Sequence, residues 1–286
     1  MSESHNMKPR VSVGMPIRNG GDLLAVAMRS IIDQTERDIE IIFSDNGSED
    51  GTAEYVLKLA QIDSRIRYFR QDPPLRAYDN FHFVLSQARG NYFMWAAHDD
   101  FRDLDFITKL ADQLDRDTDA VLAFGDIFVV KTYNNSSKKQ PFAFSTTGLG
   151  SWGRMKKVSR LQCYYFYGLW RGSAVRRVPY AYCSWWPDLP MMMSASLLGH
   201  FAYVADVRFY SNEIIKTSAE RVKYQDYSNS FSLIYSVLNL LRATYLSCSQ
   251  VGGSVAGFFA VYLVFIRQVD SFPGFLARRI RRIFAL

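Results

Sequence analysis

Between Val11 and Phe124 the chain alternates two periodicities, and this alternation restricts its fold more than any other feature. Short runs of strand character, at Val11–Pro16, Ile39–Ser44, Arg65–Phe69, Tyr92–Trp95 and Ala120–Phe124, are rich in β-branched and aromatic residues. Between them lie stretches whose apolar residues recur at helical spacing: Leu23–Ile32, the segment after Thr52 up to about Ile62, Tyr78–Ala88 and Phe106–Leu114. Pro16 stops the first strand, Asp22 is a candidate N-cap, and Gly90 ends the third helix. Such a βαβ series predicts an α/β fold with a mostly parallel, doubly wound sheet.

In sheets of this kind ligands bind beyond the carboxyl ends of the strands. Three polar clusters follow strand ends: Arg18-Asn19, Asp45-Asn46-Gly47 and His98-Asp99-Asp100. They are expected to meet along one sheet edge. Asp99 and Asp100 close an apolar run, where neighbouring carboxylates repel each other unless a cation sits with them. Read alone, the pair fits equally well as solvated loop residues ahead of a helix. There is no Gly-x-Gly-x-x-Gly after the first strand and no Walker pattern. A diphosphate would then be held by a divalent metal on carboxylates rather than on a helix N-terminus.

The net charge of +6 invites a nucleic-acid reading, but its location argues otherwise. From Arg267 onward five Arg face one Asp, so +4 of the +6 lies in the last 20 residues. A basic tail beside an apolar run points to an anionic membrane surface and away from nucleic acid. Cys163, Cys183 and Cys248 have no metal-binding spacing and fit a reducing compartment. Residues 1–10 lack an apolar core and do not read as a secretory signal.

Several stretches together resemble the family 2 glycosyltransferases, inverting nucleotide-sugar enzymes of GT-A fold. They are Val13-Gly14-Met15-Pro16-Ile17-Arg18-Asn19, Ser30–Thr35, Asp45–Thr52, Asn80, Ala88–Tyr92 and His98-Asp99-Asp100. The resemblance covers about residues 10 to 125. It implies a Rossmann-like mixed sheet flanked by helices. It also implies that Pro16, Arg18, Asn19, Asp45, Asn46, Gly47, Arg76, Asn80 and Asp99 form the nucleotide site. Asp45 would bond the base or ribose, although a turn residue bonding its own backbone gives the same signal. Asp99 matches the last acid of the family's Asp-x-Asp metal motif, with Asp100 assisting. Ala97 stands where the first acid is expected, and His98 is read as supporting the metal or touching the sugar. The implied cofactor is Mn²⁺ or Mg²⁺.

Past residue 126 the pattern breaks. Tyr133–Gly150 reads as a polar loop able to close over donor or acceptor. Gly168-Leu169-Trp170-Arg171 resembles a family stretch that precedes the catalytic base. Asp188 is the first acid after Asp126 and follows Trp185-Trp186-Pro187. Apolar surroundings would raise its pKa toward that of a general base, while Trp185 and Trp186 could stack on sugar or lipid. Equally, Asp188 could be a helix-start residue stabilised by the dipole. Asp206 and Glu213 are the alternative bases, and Glu220 and Arg221 are further diphosphate-site candidates. Met191-Met192-Met193 reads as core.

Between Arg242 and Arg267 lie 24 uncharged residues, long enough for a span. A single crossing would separate a cytoplasmic catalytic half from the Arg-rich tail, against the positive-inside rule. A re-entrant hairpin or in-plane amphipathic helices, with Phe272, Phe275, Leu276, Ile280, Ile283 and Phe284 beside four Arg, avoid that conflict. The expected organisation is a nucleotide-sugar-binding half at 8–125, an acceptor-binding half at 126–227 and a helical membrane-association region at 228–286. The expected activity is inverting transfer of a hexosyl or deoxyhexosyl unit from a UDP-, dTDP- or GDP-linked donor. The acceptor would be a saccharide carried on a lipid, at the cytoplasmic face of an inner membrane. Two rival readings are a non-catalytic nucleotide-sugar-binding protein on the same fold, prompted by Ala97, and a nucleic-acid-binding protein, prompted by the basic pI.

Overall fold

The computed structural model describes residues 8–131, 136–139, 144–161, 163–179, 188–212 and 230–271. Two compact units emerge, interleaved along the chain. The first comprises residues 1–145, 164–176 and 201–215; the second comprises 146–163, 177–200 and 216–286.

The first unit is built on one sheet, of nine strands among the described residues. Its parallel part runs β3 (Ile66–Arg70), β2 (Ile39–Asp45), β1 (Val11–Ile17), β4 (Tyr92–Trp95). Every residue of β1, β2 and β4 is buried, which explains why their apolar residues do not alternate strictly with polar ones. Helix α1 (Leu24–Ile32) follows a 3-10 turn at Gly21–Leu23. Asp22 lies inside that turn and makes no cap bond, so the expected N-cap is not there. Helix α2 (Thr52–Ile62) packs on β3, and α3 (Ala77–Ser86) on β1 and β2.

Beyond β4 the sheet departs from the doubly wound expectation. The strand after α4 (Phe106–Arg116) does not join β4 in parallel. It is β6 (Ala120–Lys131), which continues well past Phe124. The short β8 (Leu169–Arg171) is inserted between β4 and β6, antiparallel to both. β9 (His200–Asn212) lies next to β6, and β5 (Phe101–Arg102) pairs antiparallel with β9. Within the stretch read as a loop, Ser136–Lys139 forms β7 on the edge of β6. The sheet is therefore mixed. β8 is antiparallel to both of its neighbours, a pairing that does not depend on a crossover helix.

Arg171 fixes β8 by donating from Nε to the Ala120 carbonyl at 2.9 Å and from Nη2 to the carbonyls of Leu114 and Asp117. Aromatics from both halves of the sequence fill this core: Trp95 stacks on Phe166 at 4.4 Å and meets Trp170 edge-on at 6.0 Å. At the amino edge of the sheet, buried Glu40 accepts from Ser12 Oγ at 2.6 Å, from the Arg89 N–H at 2.8 Å and from Arg67 Nη1 at 2.8 Å.

The second unit is helical among its described residues. It contains α5 (Ser151–Val158), α7 (Asp188–Leu198) and α8 (Ser230–Ser271). The four-residue α6 (Gly172–Val175) belongs to the first unit. Met191, Met192 and Met193 are buried, as expected for core. The long helix α8 is not straight. Gly253 has a φ of 79°, and Tyr245 and Phe258 bring their rings to 5.1 Å. In a continuous helix residues thirteen apart lie about 20 Å from each other. The chain therefore doubles back at Gly253. A Cβ on Gly257 would lie 2.8 Å from Tyr245 Cδ2, so glycine permits the close crossing. By length and composition Leu238–Arg267 could cross a membrane, but as a hairpin it forms two short arms. Residues Phe272 to Phe284 of the tail lie outside the described residues.

Candidate active site

The parallel register aligns the strand ends. Ile17 sits opposite Asp45, Asp45 opposite Arg70, and Gly14 opposite Trp95. The loops after β1, β2, β3 and β4 thus leave from one sheet edge, and the three polar clusters share it.

Asp45 is fully buried and holds three partners. Ser48 N–H donates to Oδ1 at 2.8 Å, while Tyr68 Oη at 2.7 Å and Arg70 Nη1 at 3.0 Å donate to Oδ2. The turn bond to Ser48 and the cross-strand bonds coexist in one carboxylate. Tyr68 and Arg70 were not singled out from sequence. The available signal was the period of two in β3, which puts alternate residues on one face. Asn46 braces the following loop: its Nδ2 donates to the Leu75 carbonyl at 2.8 Å, and Leu75 N–H returns to its Oδ1 at 2.7 Å. Gly47 has a φ of 71°, with Pro74 close against it. Asn80 is buried against Ser44, accepting from its hydroxyl at 2.5 Å and donating to its carbonyl at 3.1 Å.

Pro16 is buried within β1, and Arg18 is exposed just beyond it. Asn19 adopts a φ of 53°. It clamps the two loops together, receiving Glu49 N–H on Oδ1 at 3.0 Å while its own N–H reaches Ser48 Oγ at 2.8 Å. Arg76 is exposed and paired with Asp79 at 2.6 Å.

After β4 the Ala96 N–H still bonds the Gly14 carbonyl at 2.9 Å; then the chain turns out of the sheet. His98 and Asp99 are partly exposed, and Asp100 is buried. Asn212, at the end of β9, donates its backbone N–H to Asp100 Oδ1 at 3.0 Å and its side-chain amide to the Asp99 carbonyl. Sequence reading pointed to Glu213, Glu220 and Arg221, just after this strand, which lie outside the described residues. Ser211 and Asn212 were missed because residues 112 apart carry no local signal of pairing. Burial, and then the adjacent Asp99 charge, push the Asp100 carboxyl up to about 7, against the opposing pull of Arg102, Asn212 and Ser211. Arg102 is itself buried over the Phe209 ring at 5.2 Å, and burial lowers it to about 10.

No three His, Cys, Asp or Glu side chains gather among the described residues. The donor set nevertheless suits a hard divalent ion. Such ions accept one or two carboxylates and complete their shell with water and phosphate oxygens. The like-charge strain between Asp99 and Asp100 is the kind that a cation relieves.

Asp188 begins α7 in the second unit, half-buried, and burial raises its carboxyl to about 6. Trp185 and Trp186 lie outside the described residues, as do Glu213, Glu220 and Arg221. Asp206 is exposed on β9 with a left-handed φ of 58°.

Comparison with known proteins bears on this arrangement. Among curated proteins, "Glycosyltransferase GlyG" of Streptococcus pneumoniae is 30% identical over 142 residues, which is 50% of this chain and 45% of that protein. The "GalNAc(5)-diNAcBac-PP-undecaprenol beta-1,3-glucosyltransferase" of Campylobacter jejuni is 38% identical over 93 residues, covering 32% of this chain and 30% of its own length. This chain therefore matches less than half the length of either relative. Among solved structures, S. aureus TarS 1-349 in complex with UDP-GlcNAc superposes with a TM-score of 0.69 at 13% identity, over 92% of this chain and 73% of that one. The mannosyltransferase PcManGT from Pyrobaculum calidifontis, in complex with GDP-Man and Mn²⁺, gives 0.55 at 13% identity over 98% and 80%. These likenesses identify the mixed sheet with its flanking helices as a GT-A fold. The family model for glycosyl transferase family 2 matches residues 12–178, more than half of the chain, and the protein belongs to that family.

Proposed function

We propose that this glycosyltransferase is inverting and metal-dependent, moving a hexosyl or deoxyhexosyl unit from a UDP-, dTDP- or GDP-linked donor to a saccharide carried on a lipid. The observation that carries the reading is the shared sheet edge, where Asp45 with Tyr68 and Arg70 stands two strands from the Asp99–Asp100 turn. Pro16, Arg18, Asn19, Asn46, Gly47, Arg76 and Asn80 shape or line the nucleotide loops. Asp99, assisted by Asp100, would hold Mn²⁺ or Mg²⁺. The bound ion would supply Lewis-acid neutralisation of the departing diphosphate. Asp188 takes the proton of the attacking hydroxyl; its raised pKa suits a base working near neutral pH. Attack from the face opposite the leaving group inverts the anomeric centre. The acceptor class is supported by the lipid-linked substrate in the Campylobacter relative's name and by the apolar carboxyl-terminal hairpin. Both also support attachment to the cytoplasmic face of an inner membrane, in the synthesis of a surface polysaccharide.

The test is incubation of the protein with each nucleotide sugar, Mn²⁺ and a bacterial lipid extract. Transfer to the lipid phase with inverted anomeric configuration is expected. Chelation by EDTA should abolish it, and Mn²⁺ or Mg²⁺ should restore it. Transfer undiminished by EDTA would remove the metal role of Asp99 and Asp100. Ala97, standing in place of the first metal acid, favours a second reading as a non-catalytic nucleotide-sugar-binding protein. Donor binding without turnover in any acceptor mixture would support that reading.

A further inference from the structure

The second unit carries a cavity of about 660 Å³ that the proposed transfer reaction does not use. One wall is the end of α5 and the turn after it, with Lys156, Ser159 and Arg160. The other is the distal arm of the α8 hairpin, with Phe259, Tyr262, Leu263, Ile266 and Arg267. Of the described lining residues three are cationic and none is acidic. Arg267 is fixed in place, donating from Nη1 to the carbonyls of Ser159 at 2.7 Å and Leu161 at 2.9 Å. Lys156 and Arg160 are exposed at the mouth. The floor is apolar and aromatic.

Beside this cavity the distal arm presents an apolar face to solvent. Val255 is 71% exposed, Phe258 66% and Tyr262 47%, spaced i, i+3 and i+7 along one side of the helix. Trp152, 47% exposed on α5, meets Phe259 edge-on at 5.1 Å and extends the same surface. The proximal arm differs. Ser247 and Cys248 are buried, and Ser247 Oγ lies 2.5 Å from Ser194 Oγ of α7, so that arm belongs to the core of the unit. The apolar part of the distal arm, Ser254 to Ile266, is about 20 Å long, short of the roughly 30 Å of a bilayer core. It can lie on a bilayer but cannot cross one.

We propose that this surface seats on an anionic membrane, with the phosphate of a lipid headgroup held by Lys156, Arg160 and Arg267. The lipid chain runs along Phe259, Tyr262 and Ile266, and Trp152 and Phe258 enter the interfacial layer. Charge selects the occupant. The chain's own tail, with Arg278, Arg279, Arg281 and Arg282, would meet like charge in the cavity. A symmetric second copy would place the same basic rim against itself. An anionic lipid complements both the cations and the apolar floor, and exposed Trp and Tyr beside basic residues suit the headgroup layer. This deepens the membrane-attachment part of the proposed function, and it names a site separate from the Arg-rich tail.

The test uses the full chain and vesicles of phosphatidylcholine, with and without phosphatidylglycerol, scored by sedimentation. Strong binding is expected only with phosphatidylglycerol. The Lys156→Glu/Arg160→Glu variant should bind about thirtyfold or more weakly, as two cations near an anionic surface are lost. Phe258→Asp should weaken binding as well. These side chains are exposed, so unchanged melting shows that the variants are folded. Brominated phosphatidylglycerol should quench a fluorescence component that disappears in Trp152→Phe. Millimolar glycerol phosphate should not displace the vesicles; displacement would make the site one for a soluble phosphate and overturn the proposal. Unaltered vesicle binding by the charge-reversed protein would also overturn it, as would a dimer in solution that Phe258→Asp dissociates. Binding is scored without any transfer reaction, so a failed glycosyltransfer assay leaves this result standing, and the converse holds.

Discussion

At the scale of single residues, Asp188 carries the sharpest chemical expectation. Its carboxyl is raised from 3.8 to about 6 by burial. As a base it works only when ionised, so kcat/KM should rise with pH through about 6 and level off above it. Asp188→Asn should lower kcat by about 10²–10⁴ with donor binding retained, measured by transfer rate and donor titration. The same shift affects stability. Between pH 3.8 and about 6 the folded protein holds a proton that the unfolded chain has released, so stability falls as pH rises through that window. Removing the charge relieves this, and Asp188→Asn should gain in melting temperature relative to wild type at pH 8 but not at pH 4. A rate loss without the acid limb in the wild-type profile would assign Asp188 a structural part only. At Asp45 the turn bond to Ser48 that sequence suggests is present, together with cross-strand bonds from Tyr68 and Arg70 that it does not, because a carboxylate has lone pairs enough for all three.

At the scale of elements, what could be read from sequence tracks locality. β1, β2 and β4 are rich in apolar residues without strict alternation because both faces of each are buried, and their parallel order follows from the helices between them. The three polar clusters inherit a common edge from that order alone. β8 and β5 are three and two residues long and owe their existence to antiparallel partners far along the chain. No window of sequence contains that information, so the βαβ pattern alone predicts a mostly parallel sheet, the mixed sheet follows only from the family resemblance, and Asn212 is not connected to Asp99. The extension of β6 beyond Phe124 was hidden by the buried polar Asp126, which accepts from the Tyr203 hydroxyl at 2.6 Å.

One buried carboxylate ties several parallel elements together. Burial alone would raise the Glu40 pKa, but the Ser12 hydroxyl, the Arg89 backbone and the guanidinium groups of Arg89 and Arg67 hold it below the ordinary 4.5. Glu40 therefore contributes stability that is present above the unfolded carboxyl's pKa and is lost as pH falls through the folded value. Glu40→Gln should cost about 1–3 kcal/mol in denaturant unfolding at pH 7, and less at pH 4. An equal cost at both pH values would mean that packing, not charge, sets the effect.

At the scale of the whole molecule, the chain forms two compact units, and the sheet edge proposed for the nucleotide lies wholly in the first. A ligand that binds only folded protein stabilises it by RT ln(1 + [L]/Kd), about 2.7 kcal/mol at a hundredfold excess over Kd. For a unit of this size, that moves melting by about 5–10 °C. In calorimetry, the matching nucleoside diphosphate with Mn²⁺ should shift the transition of the sheet unit by this amount, and the other diphosphates should shift it less. That comparison names the base of the donor. The Asp99→Asn protein should keep the shift seen with nucleotide in EDTA but lose the further part added by Mn²⁺. Its Asp100 carboxyl should also ionise more easily, since the neighbouring charge that raises it is gone. If Mn²⁺ adds nothing to the wild-type shift, the repulsion between the two carboxylates is not relieved by a cation, and the diphosphate is held by the arginines of the edge instead.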